Sequence, residues 1–220
     1  FSVLEMDYRA FYLDYQVMGS LGAGSLGAGV LANSSADREA NEFFQNNLRS
    51  GATDSLSDVA RVPGDALIAV PLLFGAYALA GDGAVKSWAG DSLRALFVGA
   101  PAGLFIQYAT GASRPEEGSS GWKPFRGNNG LSGHAFIGAV PLITAAKMQD
   151  STAMKSLFYG LSILPGLSRM NDEKHYLSQA ALGWWLAYLS AGAVENRGAV
   201  TSVRVSPFSE GIGVTLSAVY

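Results

Sequence analysis

The chain contains two histidines, His134 and His175, and each lies beside unusual polar residues. Ser132 and Gly133 precede His134 at the start of an apolar run, where a serine cap and free main-chain N–H groups would form an anion site at a helix N-terminus. Arg169 precedes His175 by six residues. Because histidine exchanges a proton near neutral pH, these clusters predict chemistry on an anionic substrate.

A third cluster is the pair Arg114-Pro115, which follows another apolar run. Proline disfavours helical geometry in the residue before it, so the predicted helix should end with the Arg114 guanidinium at its mouth. The planar guanidinium is well suited to binding phosphate. Taken alone, a histidine is more often a hydrogen-bonded structural residue, and an arginine at a helix end often serves the helix dipole. The three clusters together favour a phosphate pocket.

Taken in order, the three clusters resemble the motif of the type 2 phosphatidic acid phosphatase superfamily, which includes bacterial acid phosphatases, lipid phosphatases and vanadium haloperoxidases. The family pattern is K-x6-R-P, then P-S-G-H, then S-R-x5-H-x3-D. The resemblance covers about residues 65–194. The matching positions are Arg114, Pro115, Ser132, Gly133, His134, Ser168, Arg169 and His175. The departures are Gln107 for the lysine, Leu131 for the proline and Gln179 for the aspartate.

The resemblance implies a role for each matching residue. His175 would attack phosphorus and form a phosphohistidine, and His134 would protonate the leaving oxygen before water completes hydrolysis. The groups that would stabilise the charge on the equatorial oxygens are Arg114, Arg169, Ser132 and the N–H of Gly133. The resemblance implies no metal or other cofactor, although vanadate or phosphate would bind as an oxyanion analogue.

Gln179 lies four residues after His175, so the two side chains share a helix face. The amide oxygen of Gln179 can accept the ring N–H and fix the tautomer, but it supplies no negative charge to a forming imidazolium. An Asp-to-Asn change in the serine-protease triad costs about 10⁴ in rate, largely through the wrong tautomer. The sequence leaves the orientation of this amide open.

Gln107 lies about two turns before Arg114, so it should line the same helix face and donate a hydrogen bond to phosphate. It carries no charge, and the pocket would therefore lack one cation. Lys123 or Arg126, in a loop at 116–131, could replace this cation. The alternative is that both are solvated loop charges.

Composition limits the classes of protein. The chain has 220 residues, 49% of them apolar, 15% charged and none cysteine. This composition suits one compact domain with a sizeable core, or two small ones, and it excludes a disordered chain, a disulfide scaffold and a zinc site built on thiolates. The net charge of −3 gives no sign of a nucleic-acid partner.

The elements that must position these clusters are helices. Periodicity and caps predict them at 36–49, 54–62, 65–81, 84–90, 92–113, 134–148, 152–164 and 176–194. Alternation in the tail predicts a short β-hairpin at about 201–220. We expect one domain over residues 1–220, and the resemblance implies an all-α compact helical bundle of the acid phosphatase/vanadium haloperoxidase type.

The segment 13–34 contains a tandem repeat, Ser-Leu-Gly-Ala-Gly, beginning at Ser20 and again at Ser25. A glycine loop that cradles phosphate is the functional interpretation, but no Lys-Ser or Lys-Thr pair follows it. The structural interpretation is a tightly packed or flexible glycine segment.

Three uncharged runs, 66–81, 95–113 and 176–194, approach the length of a membrane span. Polar residues and glycines interrupt all three, which favours helices buried in a soluble or peripheral protein over membrane spans. The start at Phe1, without a methionine, suggests a processed or truncated chain. The resemblance implies an exported bacterial protein, periplasmic or membrane-associated.

Three functions fit these residues. The first is a phosphatase acting on a phosphomonoester or a lipid phosphate or pyrophosphate. The second is a phosphate- or lipid-binding relative that the two glutamines have impaired. The third, a vanadium haloperoxidase, is disfavoured by the missing lysine and the short chain. The expected partners are a small-molecule or lipid phosphate and, as a candidate, a membrane surface, while the oligomeric state stays open.

Overall fold

The computed structural model describes residues 2–195, 201–208 and 211–218, and this part of the chain is mostly helical, as predicted. Its α-helices are α1 Val3–Tyr12, α2 Tyr15–Ala32, α3 Ala36–Asn47, α4 Gly51–Ala60, α5 Ala66–Leu79, α6 Ala84–Thr110, α7 Gly133–Lys147, α8 Thr152–Leu161, α9 Leu164–Asn171 and α10 Leu177–Glu195. Two short 3₁₀ turns lie at Val62–Gly64 and Pro115–Glu117.

The tail contains two strands, β1 Thr201–Phe208 and β2 Gly211–Ala218, which pair antiparallel. The residues between them, 209–210, and the residues that connect β1 to α10, 196–200, lie outside the described residues. The helical content of the predicted fold is confirmed, whereas the predicted C-terminal hairpin and its packing on the helical body stay predictions.

Helix α10 is the centre of the core. It packs against α7, α6 and α2, so apolar residues are favoured around its whole circumference. Leu182 and Leu186 of α10 are almost fully buried, as are Val98 of α6 and Ile143 of α7. Burial of one such side chain contributes about 1.5–3 kcal/mol.

Helix α6 is continuous from Ala84 to Thr110, so the predicted break between 90 and 92 is wrong. Gly90 is covered by the ring of Tyr77, since a Cβ at this glycine would lie 3.0 Å from it. Asp91 accepts from Arg94 of the next turn at 2.7 Å. These contacts offset the low helix propensity of the Gly-Asp pair.

The glycine-rich segment 13–34 is largely helix α2, which agrees with the packing interpretation and not with a phosphate-binding loop. A Cβ at Gly24 would overlap the indole of Trp185. A Cβ at Gly29 would lie 2.8 Å from Trp122. The glycines at these two positions let indole rings pack directly on the helix backbone.

The helix predicted at 152–164 ends at Leu161, and a separate helix, α9, follows. Pro165 lies in the first turn of α9, where a missing N–H costs nothing. Ser168 and Arg169 therefore lie on a short helix of their own, not in a loop. Helix α1 is another element that the sequence analysis missed.

The predicted loop 116–131 is irregular beyond its first 3₁₀ turn. Main-chain bonds hold it against the end of α6, where the N–H of Lys123 donates to the carbonyl of Thr110 at 2.9 Å. Gly111 ends α6 with φ 58°, and a Cβ there would overlap the carbonyl of Lys123. Glycine is required at this position because the backbone is left-handed and the loop lies directly on it.

Candidate functional site

A tight turn between α9 and α10 positions His175. Glu173 has φ 53° at this turn, a conformation that ends a helix and reverses the chain. The main-chain N–H groups of Lys174 and His175 then both donate to the carbonyl of Arg169, at 2.8 and 3.1 Å. The backbones of Arg169 and His175 are thereby joined, and the imidazole is buried.

The side chain of Gln179 fixes the tautomer of His175. Its amide nitrogen donates to the carbonyl of Ser113 at 2.8 Å, and its oxygen accepts the N–H of Tyr176 at 3.1 Å. These main-chain partners define which end of the amide is oxygen. The same oxygen lies 2.8 Å from Nδ1 of His175, so Nδ1 must carry the proton and donate it. Nε2 is therefore left with a free lone pair.

Burial lowers the pKa of His175 to about 4, since the imidazolium is poorly solvated there. The hydrogen bond to Gln179 opposes this shift, while the charges of Arg169 and Arg114 add to it. His175 is consequently neutral near pH 7, which is the form that can attack an electrophile.

His134 lies in the first turn of α7. Ser132 caps this helix, because its hydroxyl accepts the N–H of Ala135 at 3.2 Å. The main-chain N–H of Ser132 also donates to the carbonyl of Gln179 at 2.9 Å, which ties the start of α7 to α10. Of the first N–H groups of this helix, those of Gly133 and His134 are positioned for an anion.

The imidazole of His134 is only partly buried. Burial lowers its pKa below the usual value, and the charge of Arg169 lowers it further, whereas Asp65 raises it. The charge of His134 in turn lowers the pKa of His175, so the two rings lie within electrostatic range of each other. Because the ring of His134 is less buried than that of His175, it is better placed to exchange protons with a substrate or water.

The side chain of Arg169 is 12% exposed, and its charge lowers the pKa of both His134 and His175. One guanidinium nitrogen donates to Asp172 at 3.3 Å, and Asp172 accepts from the hydroxyl of Ser57 at 2.7 Å. The Nε–H of Arg169 is buried and has no acceptor among the described residues. A buried donor of this kind is costly unless a ligand or water accepts from it.

Arg114 lies in the irregular segment that follows α6, just before the 3₁₀ turn at Pro115–Glu117. Its Nε donates to the side-chain oxygen of Asn129 at 3.1 Å, and its main-chain N–H donates to Glu117 at 3.2 Å. The side chain is 40% exposed. The loop therefore orients the guanidinium while part of it faces solvent.

The family model of the PAP2 superfamily matches residues 96–197, somewhat less than half of the chain. The match includes all three motif clusters and leaves α1–α5 outside. No curated protein and no solved structure matches the chain. A match to the PAP2 superfamily implies phosphatase-like activity in a broad sense.

Three residues predicted to assist the phosphate pocket contact the backbone or solvent instead. Gln107 donates its amide N–H to the carbonyl of Leu131 at 3.0 Å, so this donor holds the backbone before Ser132. Lys123 and Arg126 have exposed side chains, and neither is among the charges that shift the pKa of His134 or His175. The solvated-loop interpretation fits both of them.

Several residues that support the site were missed by the sequence analysis. Asp37 of α3 is buried and accepts hydrogen bonds from both the N–H and the hydroxyl of Ser178. Asp37 thereby caps the first turn of α10. Ser57, Asn129 and Asp172 hold the two arginines. No local pattern marks them, since most act on residues far away in the chain. An aspartate with acidic neighbours resembles any helix start.

Proposed function

We propose that the protein is a phosphatase that works through a phosphohistidine on His175. The observation that supports this most directly is the fixed tautomer, in which Gln179 holds the proton on Nδ1 and leaves Nε2 free. Burial lowers the pKa of His175 and keeps its ring neutral, and Arg169 and Arg114 lie close enough to lower this pKa further. A neutral nucleophile beside fixed positive charges is the arrangement that phosphoryl transfer requires.

In the first half of the reaction, Nε2 of His175 attacks phosphorus and the bond to the leaving oxygen breaks. Protonated His134 gives its proton to that oxygen, so the alcohol leaves neutral. In the second half, neutral His134 takes a proton from water as the water attacks the phosphohistidine. Phosphate is released, and His175 regains its lone pair.

Charge on the transferred phosphoryl group would be shared among nearby donors. The unpartnered Nε–H of Arg169 is one such donor, and the guanidinium of Arg114 is another. The main-chain N–H groups of Gly133 and His134 would contribute at the start of α7. Fixed donors of this kind stabilise a transition state without reorganising.

An apolar groove favours a lipid phosphate as substrate. Its volume is about 390 Å³, within the range of about 300–1,000 Å³ that ligand pockets occupy. Gly133 and Gln107 line one part of it, so it adjoins the start of α7. Its apolar lining comes from α5, α6 and α7 and includes Val70, Leu96, Phe97, Leu104, Phe136 and Ile137. An acyl or prenyl tail would fit this lining.

Exposed apolar side chains favour action at a membrane surface. Leu67 and Leu79 of α5 are 88% and 89% exposed, and Phe105 of α6 is 71% exposed. These side chains lie on two helices that pack against each other, and a contiguous apolar patch formed by them would be an interaction surface. In the described residues, the run Ala84–Glu117 is long and apolar enough to cross a membrane, and Gly51–Gly64 with Ala66–Leu79 would make a second, bent by 57°. Core helices of soluble proteins meet the same criterion, and export stays a prediction from the resemblance.

Phosphate release tests the activity. The purified protein should release phosphate from p-nitrophenyl phosphate and from phosphatidic acid in detergent micelles, and His175→Ala should abolish both activities. Acid-quenched enzyme should carry phosphate on His175. A folded protein that binds orthovanadate but releases no phosphate at any pH from 4 to 8 would instead be the impaired binding relative.

A blocked groove tests the substrate class. Ala100 lines the groove, so Ala100→Trp should lower kcat/KM for long-chain phosphatidic acid and leave p-nitrophenyl phosphate hydrolysis unchanged. Ala153→Trp is the matched control, because Ala153 is exposed on α8 away from the groove. Equal losses with both substrates would argue against a tail in this groove.

A further inference from the structure

Helix α4 lies outside the PAP2 match, yet it contacts two parts of the proposed pocket. The hydroxyl of Ser57 donates to Asp172 at 2.7 Å, and it lies 3.1 Å from the carbonyl oxygen of Ser168. Just after α4, Gly64 packs on the backbone of His134, where a Cβ would lie 2.6 Å from the carbonyl oxygen. The segment 57–64 therefore spans the distance between α9 and the start of α7.

Arg61 lies within this segment, between the two contacts. It follows Ser57 by four residues, so both side chains lie on the same face of α4. The carbonyl of Arg61 accepts the N–H of Gly64 at 2.9 Å, which fixes the turn that leads to His134. The backbone of Arg61 thus lies between Ser57, which contacts α9, and Gly64, which packs on the backbone of His134.

The guanidinium of Arg61 has more N–H donors than its contact with Asp58 uses. Its ion pair among the described residues is with Asp58 at 3.2 Å, and the side chains are 52% and 74% exposed. An exposed pair of this kind is weak and exchanges readily with solvent. The guanidinium carries five N–H donors, and one carboxylate leaves most of them available for an anion.

Electrostatic effects agree with this placement. The pKa of His134 is lowered by burial first, then by Arg169, and Arg61 lowers it more than Arg114 does. Arg61 also lowers the pKa of Arg169 more than Arg114 does. The positive charge of Arg61 is therefore felt at both sides of the pocket.

We propose that Arg61 supplies the third positive charge of the phosphate pocket, in place of the cation that is missing at Gln107, and binds an oxygen of the phosphoryl group. This inference rests on the proposed phosphatase function. Gln107 is neutral and its amide is bonded to Leu131, while Lys123 and Arg126 face solvent. Arg61, at the C-terminal end of α4, is a cation whose charge acts on both His134 and Arg169.

Orthovanadate binding to the full chain tests this proposal without requiring turnover. Arg61→Gln should weaken vanadate binding by about tenfold and lower kcat/KM for p-nitrophenyl phosphate by about 10²-fold. Arg61→Lys keeps the charge and should restore a part of both. Lys123→Gln and Arg126→Gln are the matched controls, because each removes an exposed positive charge, and both should stay within about twofold of the wild type.

The NMR titration of the two histidines gives a second readout. Arg61→Gln should raise the pKa of His134, because a nearby positive charge is lost, while Lys123→Gln should leave it unchanged. Unchanged vanadate affinity and His134 pKa in Arg61→Gln, with affinity reduced in Arg169→Gln, would overturn the assignment. A wild type that binds vanadate but shows no turnover would overturn the phosphatase function alone, since binding and titration still test Arg61.

Discussion

The side-chain oxygen of Gln179 lies 2.8 Å from Nδ1 of His175, and its amide nitrogen is held by the carbonyl of Ser113. A neutral amide therefore performs the orienting part of the task that the family pattern gives to an aspartate. The charge-stabilising part is absent, because an amide carries no net charge. This separation makes the contribution of tautomer control measurable by itself.

Gln179→Leu should lower kcat by about 10³- to 10⁴-fold, since the ring of His175 is then free to take the tautomer with the proton on Nε2. ¹⁵N chemical shifts of the imidazole should report the change in tautomer directly. Gln149→Leu removes an amide at the far end of α7 and serves as the control. Full activity in Gln179→Leu with Nδ1 still protonated would show that another group orients the ring.

Activity should be confined to acidic pH. His175 must be neutral to attack, so kcat/KM should fall on the acid side near its pKa of about 4. His134 must be protonated to act as the acid, and its pKa is below the usual 6.5. As the pH rises, the rate should therefore begin to fall before the pH reaches 7. A pH–rate profile in p-nitrophenyl phosphate tests this, and an optimum above pH 7 would contradict these roles.

Folding stability should also depend on His175. Its pKa is about 4 in the folded protein and 6.5 in the unfolded chain, so the unfolded chain binds more protons between these values. The contribution is fully present above about pH 6.5 and is lost as pH falls to about 4. The free energy of unfolding should fall by about 3 kcal/mol over this pH range through His175 alone. Urea unfolding at pH 7 and pH 4.5 should show a smaller loss for His175→Asn than for the wild type, and equal losses would refute the linkage.

Two glycines of α2 should respond oppositely to alanine. Gly24→Ala should lower the free energy of unfolding by about 1–3 kcal/mol, because Trp185 lies against this glycine. The indole has little freedom to move, since it donates to the carbonyl of Ser20 at 2.9 Å and stacks on Tyr188.

Gly22→Ala is the matched control, because nothing lies within 4 Å of a Cβ at Gly22. It should raise the free energy of unfolding by about 0.5–1 kcal/mol through helix propensity. Thermal or urea unfolding of the two variants checks both signs. Destabilisation by both would mean that α2 is packed more tightly than the fold shows.

Local patterns were enough to predict most of the helices. Apolar periodicity located α5, α7 and α10 to within about two residues, because caps and turns are encoded by neighbours in the chain. The same patterns failed for α2, where glycine has low helix propensity and two tryptophans from distant segments cover the helix. They also failed at α9, whose separate start depends on how the chain turns after α8.

The sequence by itself predicted the chemistry of the site, since the spacing of His134, His175 and the two motif arginines indicates a phosphate pocket. Only the tertiary structure decided how these groups are oriented. The partner that fixes Gln179 is 66 residues away, and Ser57 is 111 residues from the carbonyl it contacts. Spacing within a helix is set by backbone geometry, whereas a contact between distant helices depends on how the whole core packs.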